Sequence, residues 1–216
     1  MRLLAPTARS SRKPAGWRLI GIAIIWISAT GAGLGVMLNY DAAPAAPGTP
    51  PSMWPTESKI PRVAGLPTIV VMAHPHCPCT KATIGELALL MAHVQNRATA
   101  AVVFVRPAGF QEQWAETDLW QSAKEIPGVI VLSDANGVEA SRFGAQASGQ
   151  TMLYDADGKL QFSGGITASR GHSGDNPGRS SIVSLVNTGA TETTATSVFG
   201  CSLHNPAVKS FHGESR

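Results

Sequence analysis

The sequence predicts an α/β domain with a central mixed sheet flanked by helices, preceded by an N-terminal transmembrane helix. Short apolar runs typical of buried strands alternate with segments of helical spacing, in the order β-α-β-α-β and then β-β-α. Ahead of them, Leu19 to Leu38 form a stretch of 20 residues without an ionisable side chain, and about 20 apolar residues match the thickness of a bilayer core. Parallel strands joined by helices, then a hairpin and a closing helix, imply a sheet covered on both faces.

The charges around the apolar stretch predict how the chain is placed across a membrane. Residues 1–18 carry five basic side chains and no acidic one, so the positive-inside rule makes them a cytoplasmic tail. Residues 19–40 then cross the cell inner membrane once, and the main domain lies on the periplasmic or extracellular side. A cleaved signal peptide is the alternative, because residues 42–46 offer small side chains for cleavage. The apolar run, however, exceeds the roughly 7 to 15 residues of a signal sequence.

The composition after residue 18 predicts a linker, a domain and a tail. This part of the chain has 12 basic and 14 acidic residues, and a body with that balance is not expected to bind nucleic acid. Residues 41–62 are rich in proline and alanine, as in an extended linker. Trp54 in this linker is predicted to touch the membrane, the domain or neither. The domain is expected over residues 63–190, and residues 191–216 form a C-terminal tail that carries Cys201.

Apolar runs and turn signals predict the strands. Three buried strands are expected at Thr68–Ala73, Ala100–Val105 and Val129–Leu132. An antiparallel hairpin is predicted next, because Thr151–Tyr154 and Leu160–Phe162 flank a turn sequence of aspartate, alanine, aspartate and glycine.

Helical spacing predicts three helices between and after these strands. The first follows the first strand, and its apolar residues recur at intervals of three and four: Ile84, Leu87, Leu90, Met91 and Val94. A surface helix is expected over Gln111–Ile126. The closing helix begins at Asn176 and Pro177, which suit the N-cap and first helical positions, and its inner face includes Ile182, Val183, Leu185 and Val186.

A cysteine-containing turn, His74-Pro75-His76-Cys77-Pro78-Cys79-Thr80, lies between the first strand and the first helix. Strand, tight turn and helix place Cys77 at the helix N-terminus. Unpaired backbone N–H groups and the helix dipole there favour a thiolate. A cysteine in this position is suited to act as a nucleophile, a redox centre or a metal ligand.

The order of elements, with a cysteine turn after the first strand, resembles the thioredoxin-like fold over about residues 60–190. An N-terminal anchor followed by an external domain is similar to membrane-tethered thiol-disulfide proteins of the TlpA and ResA type. Two motifs, residues 73–80 and Gly164-Gly165-Ile166-Thr167, resemble the RedB-like group of bacterial proteins. The resemblance implies thiol-disulfide exchange with an envelope protein and requires no cofactor.

The sequence departs from the thioredoxin pattern at two places. When Cys77 is aligned with the first cysteine of those proteins, Thr80 stands where the second is expected; in the alternative alignment Cys79 is the second and His76 takes the first position. The segment before the hairpin, residues 148–151, lacks the proline that usually faces the active site. A standard substrate-docking surface is therefore not expected.

Three chemistries are open to the cysteines. Cys77 and Cys79 can form a redox pair, although one intervening residue makes a strained ring. Cys201 can instead serve as the resolving cysteine. The third chemistry is a metal site, because two thiolates with His76 or His204, or with His74, suit copper(I) or zinc. The alternatives to a catalytic role for Cys77, Cys79 and Cys201 are a copper-binding chaperone, a non-catalytic thioredoxin-like binding module, or one structural disulfide beside a buried thiol.

The loop of residues 167–179 concentrates polar side chains between a strand and a helix start: Arg170, His172, Asp175 and Arg179. Such a loop can bind an anion, order itself over the cysteine turn, or close the fold as an Ω-type loop. The thioredoxin-like topology is expected to place it near the opposite pole from the cysteines.

Overall fold

The computed structural model describes residues 15–203 in two units that divide after Tyr40. The described part of the first unit lies entirely within helix α1 (Ala15–Ala42). It is long and apolar enough to cross a membrane, with a mean hydropathy of 2.0 over its most apolar window, and a signal sequence would meet the same criteria. The predicted apolar N-terminal helix is confirmed. Its orientation and its retention in the mature protein stay predictions.

The second unit contains a five-stranded mixed sheet. Its strands are β1 (Thr68–Ala73), β2 (Thr99–Arg106), β3 (Val129–Ala135), β4 (Gln150–Tyr154) and β5 (Leu160–Gly164), in the spatial order β3-β2-β1-β4-β5. The first three strands run parallel, β4 is antiparallel to β1, and β5 is antiparallel to β4. This topology, with helices on both faces, confirms the predicted thioredoxin-like fold.

The helices cover the sheet in two layers. Alternate residues of β1 point to opposite faces, so that Ile69 and Val71 belong to one apolar cluster while Val70 and Met72 belong to the other. The first face is covered by α2 (Pro78–Val94), α3 (Asp118–Lys124) and α5 (Pro177–Thr188). The second is covered by α4 (Val138–Arg142). All five apolar residues that predicted α2 are buried.

Two predictions for the middle of the chain are wrong. The helix expected over Gln111–Ile126 is replaced by a 3₁₀ turn at Glu112–Trp114 and the shorter α3, because Trp114 packs over the cysteine turn. The third strand is longer than expected and partly exposed, since it lies at the edge of the sheet. Helix α4 has only five residues, too few for a periodic pattern to reveal it.

Part of the predicted linker packs on the domain. The Trp54 ring lies 5.1 Å from Phe143 and 5.2 Å from Tyr154, edge to face, and the Arg62 guanidinium lies 5.0 Å above it. The Tyr154 hydroxyl donates to the Pro51 carbonyl at 3.0 Å. Trp54 therefore contacts the domain. The boundaries assigned from the sequence stay predictions.

Candidate functional site

Cys77 lies at the carboxyl edge of β1 and immediately precedes α2, as the cysteine turn predicts. It is the N-cap residue, with extended backbone angles, and Pro78 takes the first helical position. Its carbonyl accepts from the backbone N–H of Thr80 at 3.0 Å. Its side chain is only 1% exposed. The turn therefore presents the thiol to the helix N-terminus, inside the protein.

Cys201 meets Cys77 across the site. Their Sγ atoms lie 2.8 Å apart, in hydrogen-bond contact, although the two residues are 124 positions apart in the chain. Both are free thiols in this structure. A disulfide needs sulfurs about 2.05 Å apart, so a small approach would let an oxidant join this pair by removing two electrons and two protons. Part of the C-terminal tail thus lies in the site.

The three thiols have different acidities. Burial acts to raise the pKa of Cys77, but hydrogen bonds from the Cys201 side chain and from the backbone N–H groups of Cys201, Cys79 and Thr80 lower it below the usual thiol value. Burial and the partner Cys77 raise the pKa of Cys201 to about 12. Cys77 is therefore the first of this pair to lose its proton, and Cys201 keeps its own.

Cys79 lies in the first turn of α2 and is 9% exposed. Its pKa is raised, first by burial and then by the charge of Cys77 and a hydrogen bond with it; Arg170 and the backbone N–H of Gly171 act in the opposite direction. Its thiol is thus a weaker candidate for the nucleophile than Cys77.

Thr80 and Ser148 join the cysteine turn to the segment before β4. Ser148 Oγ accepts from the backbone N–H of His74 at 2.9 Å and lies 2.8 Å from Thr80 Oγ1. Thr80 Oγ1 donates to the His74 carbonyl at 3.1 Å, so Ser148 is the donor to Thr80. No peptide bond in the described range 15–203 is cis. Thr80, which takes the place of the second cysteine in one of the two alignments with thioredoxins, is hydrogen-bonded to both His74 and Ser148.

The two histidines of the turn pack against tryptophan. The Trp114 ring centroid lies 4.6 Å from that of His76 and 5.7 Å from that of His74, and the tilted Phe110 ring lies 5.2 Å from Trp114. The backbone N–H of His76 donates to His74 Nδ1 at 3.2 Å. Burial, and secondarily the charge of His76, lower the pKa of His74. These side chains form an aromatic wall beside the cysteines.

The predicted metal site has no complete set of ligands among the described residues. Within residues 15–203, no three His, Cys, Asp or Glu side chains are arranged to hold an ion. His76 packs on Trp114. His204, another predicted histidine ligand, lies outside the described residues. The copper alternative with Cys77 and Cys79 stays a prediction.

The loop of residues 167–179 reaches the cysteines, so its predicted place at the opposite pole is wrong. Strand β5 is antiparallel to β4, which is itself antiparallel to β1, and two reversals leave β5 parallel to β1. The end of β5 therefore lies at the same edge of the sheet as Cys77. Arg170 Nη1 donates to the Gly200 carbonyl at 2.8 Å. Arg170 is a site residue that the sequence analysis missed. Following the two strand reversals from β1 to β5 would have placed it at the edge of the sheet that carries Cys77.

Glu86 on α2 holds this loop in place. Its carboxylate is 1% exposed and pairs with Arg179. It also accepts from the backbone N–H of Gly174 at 2.8 Å and from Asn176 Nδ2 at 3.1 Å. Asn176 caps α5 as predicted, because its side chain accepts from the backbone N–H of Arg179 at 2.8 Å. The loop is thus hydrogen-bonded to α2 and orders Arg170 over the site.

The Gly164-Gly165 motif has a packing explanation. A Cβ on Gly164 would meet the Thr196 backbone nitrogen at 2.6 Å, and one on Gly165 would meet the Ser197 carbonyl oxygen at 2.6 Å. Residues 194–198 therefore run directly over β5, with Ser163 and Thr194 joined by a backbone hydrogen bond of 3.0 Å. The pair of glycines leaves room for the segment that carries Cys201 to the site.

Comparison with known proteins supports the fold. No family model matches the chain, and no curated protein matches its sequence. A hypothetical protein of Sinorhizobium meliloti superposes with a TM-score of 0.54 at 19% identity, over 66% of this chain and 81% of that one. An uncharacterised conserved protein of Geobacillus kaustophilus gives 0.53 at 19% identity, over 77% and 94%. At these identities the two structures show a shared fold.

A third structure, a secreted disulfide oxidoreductase of Mycobacterium tuberculosis, superposes with a TM-score of 0.37 at 23% identity, over 45% of this chain and 67% of that one. A superposition this partial supports no conclusion about the activity of the present chain.

Proposed function

We propose that this protein exchanges thiols and disulfides with other proteins, with Cys77 as the nucleophile and Cys201 as the resolving cysteine. The contact of 2.8 Å between their sulfurs carries the proposal. The acidities support the roles, because the pKa of Cys77 is lowered while that of Cys201 is raised to about 12. A thiolate is the attacking species in exchange, so Cys77 attacks first. Cys201 stays protonated until it attacks in the second step.

The reaction has two balanced steps. The Cys77 thiolate attacks one sulfur of a partner disulfide, forming a mixed disulfide, and the other partner sulfur leaves as a thiolate that takes up a proton. Cys201, after losing its proton, then attacks the Cys77 sulfur and releases the second partner thiol. The partner disulfide gains two electrons, and Cys77 and Cys201 become a disulfide. Run backwards, the same steps oxidise a partner dithiol.

The same proposal includes a place in the cell. Residues 19–40 anchor the protein in the inner membrane with the N-terminus in the cytoplasm, as in tethered proteins of the TlpA and ResA type and the RedB-like group. The helix of sufficient length and apolarity supports this arrangement. Outside the cytoplasm disulfides persist, so an envelope thiol or disulfide protein is the partner.

A redox titration tests the proposal. The full chain, equilibrated across glutathione buffers and then alkylated, should show one two-electron transition by intact mass, with the disulfide mapped to Cys77 and Cys201. Cys79→Ser should keep this transition, because Cys79 lies outside the pair, and Cys201→Ser should abolish it. A disulfide mapped to Cys77 and Cys79 instead would refute the assignment of the resolving cysteine.

The acidity of Cys77 should depend on the donor that faces it. In a Cys79→Ser background, thiolate absorbance should show Cys77 ionising below the pH at which an ordinary thiol does, since its pKa is lowered. Cys201→Ala removes the side-chain donor and should move that midpoint to higher pH. Cys201→Ser keeps a hydroxyl donor and should move it less. Coincident midpoints in the parent and the alanine variant would show that Cys201 does not stabilise the thiolate.

A further inference from the structure

Four residues of the tail lie across the site, and we call residues 200–203 the strap. The strap pairs with the segment before β4 as a short antiparallel strand. The backbone N–H of Ser148 donates to the Cys201 carbonyl at 2.8 Å, and that of Leu203 donates to the Gln146 carbonyl at 3.0 Å. Ala147 and Ser202 form the bridge between them. This pairing lays the cysteine of the strap on Cys77.

The strap closes the site to other molecules. Cys77 is 1% exposed with the strap in place, so a partner disulfide cannot reach its sulfur in this arrangement. The backbone edge of residues 146–148 is occupied as well. Exchange with another protein under the proposed function therefore requires the strap to leave.

The strap and the segment that precedes it are held by separate contacts. Leu203 is buried in the cluster on the second face of the sheet, and Arg170 holds the Gly200 carbonyl. The preceding residues are fixed on β5, and the Val198 carbonyl accepts from the backbone N–H of Ala45 at 2.8 Å. The root of the strap can thus stay bound while its tip moves.

Gly200 shows what can occupy this position. A Cβ at Gly200 would overlap the Ser148 carbonyl oxygen. Any chain that lays a cysteine on Cys77 along the same path meets the same oxygen with the residue before that cysteine. Only glycine fits there without a shift of the backbone.

We propose that the strap occupies the docking position of a partner's extended, cysteine-bearing segment, and that the segment which displaces it carries glycine immediately before its cysteine. The inference rests on the proposed function, because the incoming cysteine is the one that Cys77 attacks. The partner strand would pair with residues 146–148 by backbone hydrogen bonds, as in other strand additions. After the mixed disulfide forms, the returning strap brings Cys201 to the Cys77 sulfur and expels the reduced segment.

The test uses the full chain with Cys79→Ser and Cys201→Ser, so that Cys77 is the only thiol and the mixed disulfide accumulates. Two substitutions release the strap: Leu203→Ser removes its buried anchor, and Gly200→Ala places a Cβ against Ser148. Leu132→Ser is the matched control, since Leu132 packs against the same apolar cluster from β3. The probes are two disulfide-linked peptide dimers that differ only in glycine or alanine before the cysteine.

Both releasing variants should form the mixed disulfide with the glycine peptide at least about tenfold faster than the parent, because the open fraction scales the observed rate. The control should match the parent. In the releasing variants the glycine peptide should react at least about tenfold faster than the alanine peptide. Unchanged rates in both releasing variants would refute the claim that the strap blocks the docking position. Equal rates for the two peptides would refute the glycine requirement. If Cys77 reacts in no variant yet reacts after denaturation, the proposed function itself fails.

Discussion

Cys77→Ser should slow disulfide exchange at least about 100-fold, because a serine hydroxyl stays protonated at neutral pH and cannot replace a thiolate as the nucleophile. The fold should survive, since oxygen replaces sulfur in a position where backbone N–H groups of the helix start act as donors. The rate of reduction of a disulfide-linked peptide, followed by mass, measures the effect.

Two further cysteine variants separate attack from resolution. Cys79→Ser should keep most of the activity, because the pKa of Cys79 is raised and the contact of 2.8 Å joins Cys77 to Cys201 rather than to Cys79. Cys201→Ser should still attack but should stop at the mixed disulfide, which accumulates as a covalent adduct on Cys77. Full activity in Cys77→Ser would refute the assignment of the nucleophile, and rapid turnover in Cys201→Ser would move the resolving role to Cys79.

Arg179→Met should lower the free energy of unfolding by about 3–5 kcal/mol, because it leaves the buried carboxylate of Glu86 without its counterion. The hydrogen bonds from Gly174 and Asn176 to that carboxylate remain but do not neutralise its charge. Urea unfolding followed by tryptophan fluorescence measures the loss.

Removing both partners of this pair gives the internal check. Glu86→Leu combined with Arg179→Met should be more stable than Arg179→Met alone, since no buried charge is then left unpaired. Asp175→Asn is the matched surface control. Asp175 also pairs with Arg179, at 3.0 Å, but is fully exposed, so its loss should leave the unfolding midpoint unchanged. A parent-like midpoint for Arg179→Met would show that Glu86 does not depend on its counterion.

The fold was predictable because its signals are local. The apolar run of β1 has the predicted bounds, and the Asn176 cap was readable from the sequence. The helix expected over Gln111–Ile126 is wrong at Trp114, because an apolar residue at helical spacing looks the same whether it packs on a sheet or on the cysteine turn. Its partners, His74 and His76, lie about forty residues away in the chain.

The site was only partly predictable, because its geometry depends on distant segments. The turn chemistry around Cys77 follows from one strand and one helix start. The contact with Cys201 depends on backbone pairing of the tail with residues 146–148. A pairing this short leaves no periodic pattern in the sequence. The missing proline was the available clue: a proline at Ser148 would have no N–H to donate to the Cys201 carbonyl.

Cys77 and Cys201 lie 124 positions apart in the chain, so the state of their sulfurs matters beyond the site. A covalent bond between them would close most of the domain into one loop and restrict the unfolded chain far more than the folded one. Chain-entropy estimates for a loop of this size amount to about 5 kcal/mol. The disulfide would then stabilise the whole domain against unfolding. Each cycle of the proposed exchange would therefore alternate the domain between a more stable and a less stable form.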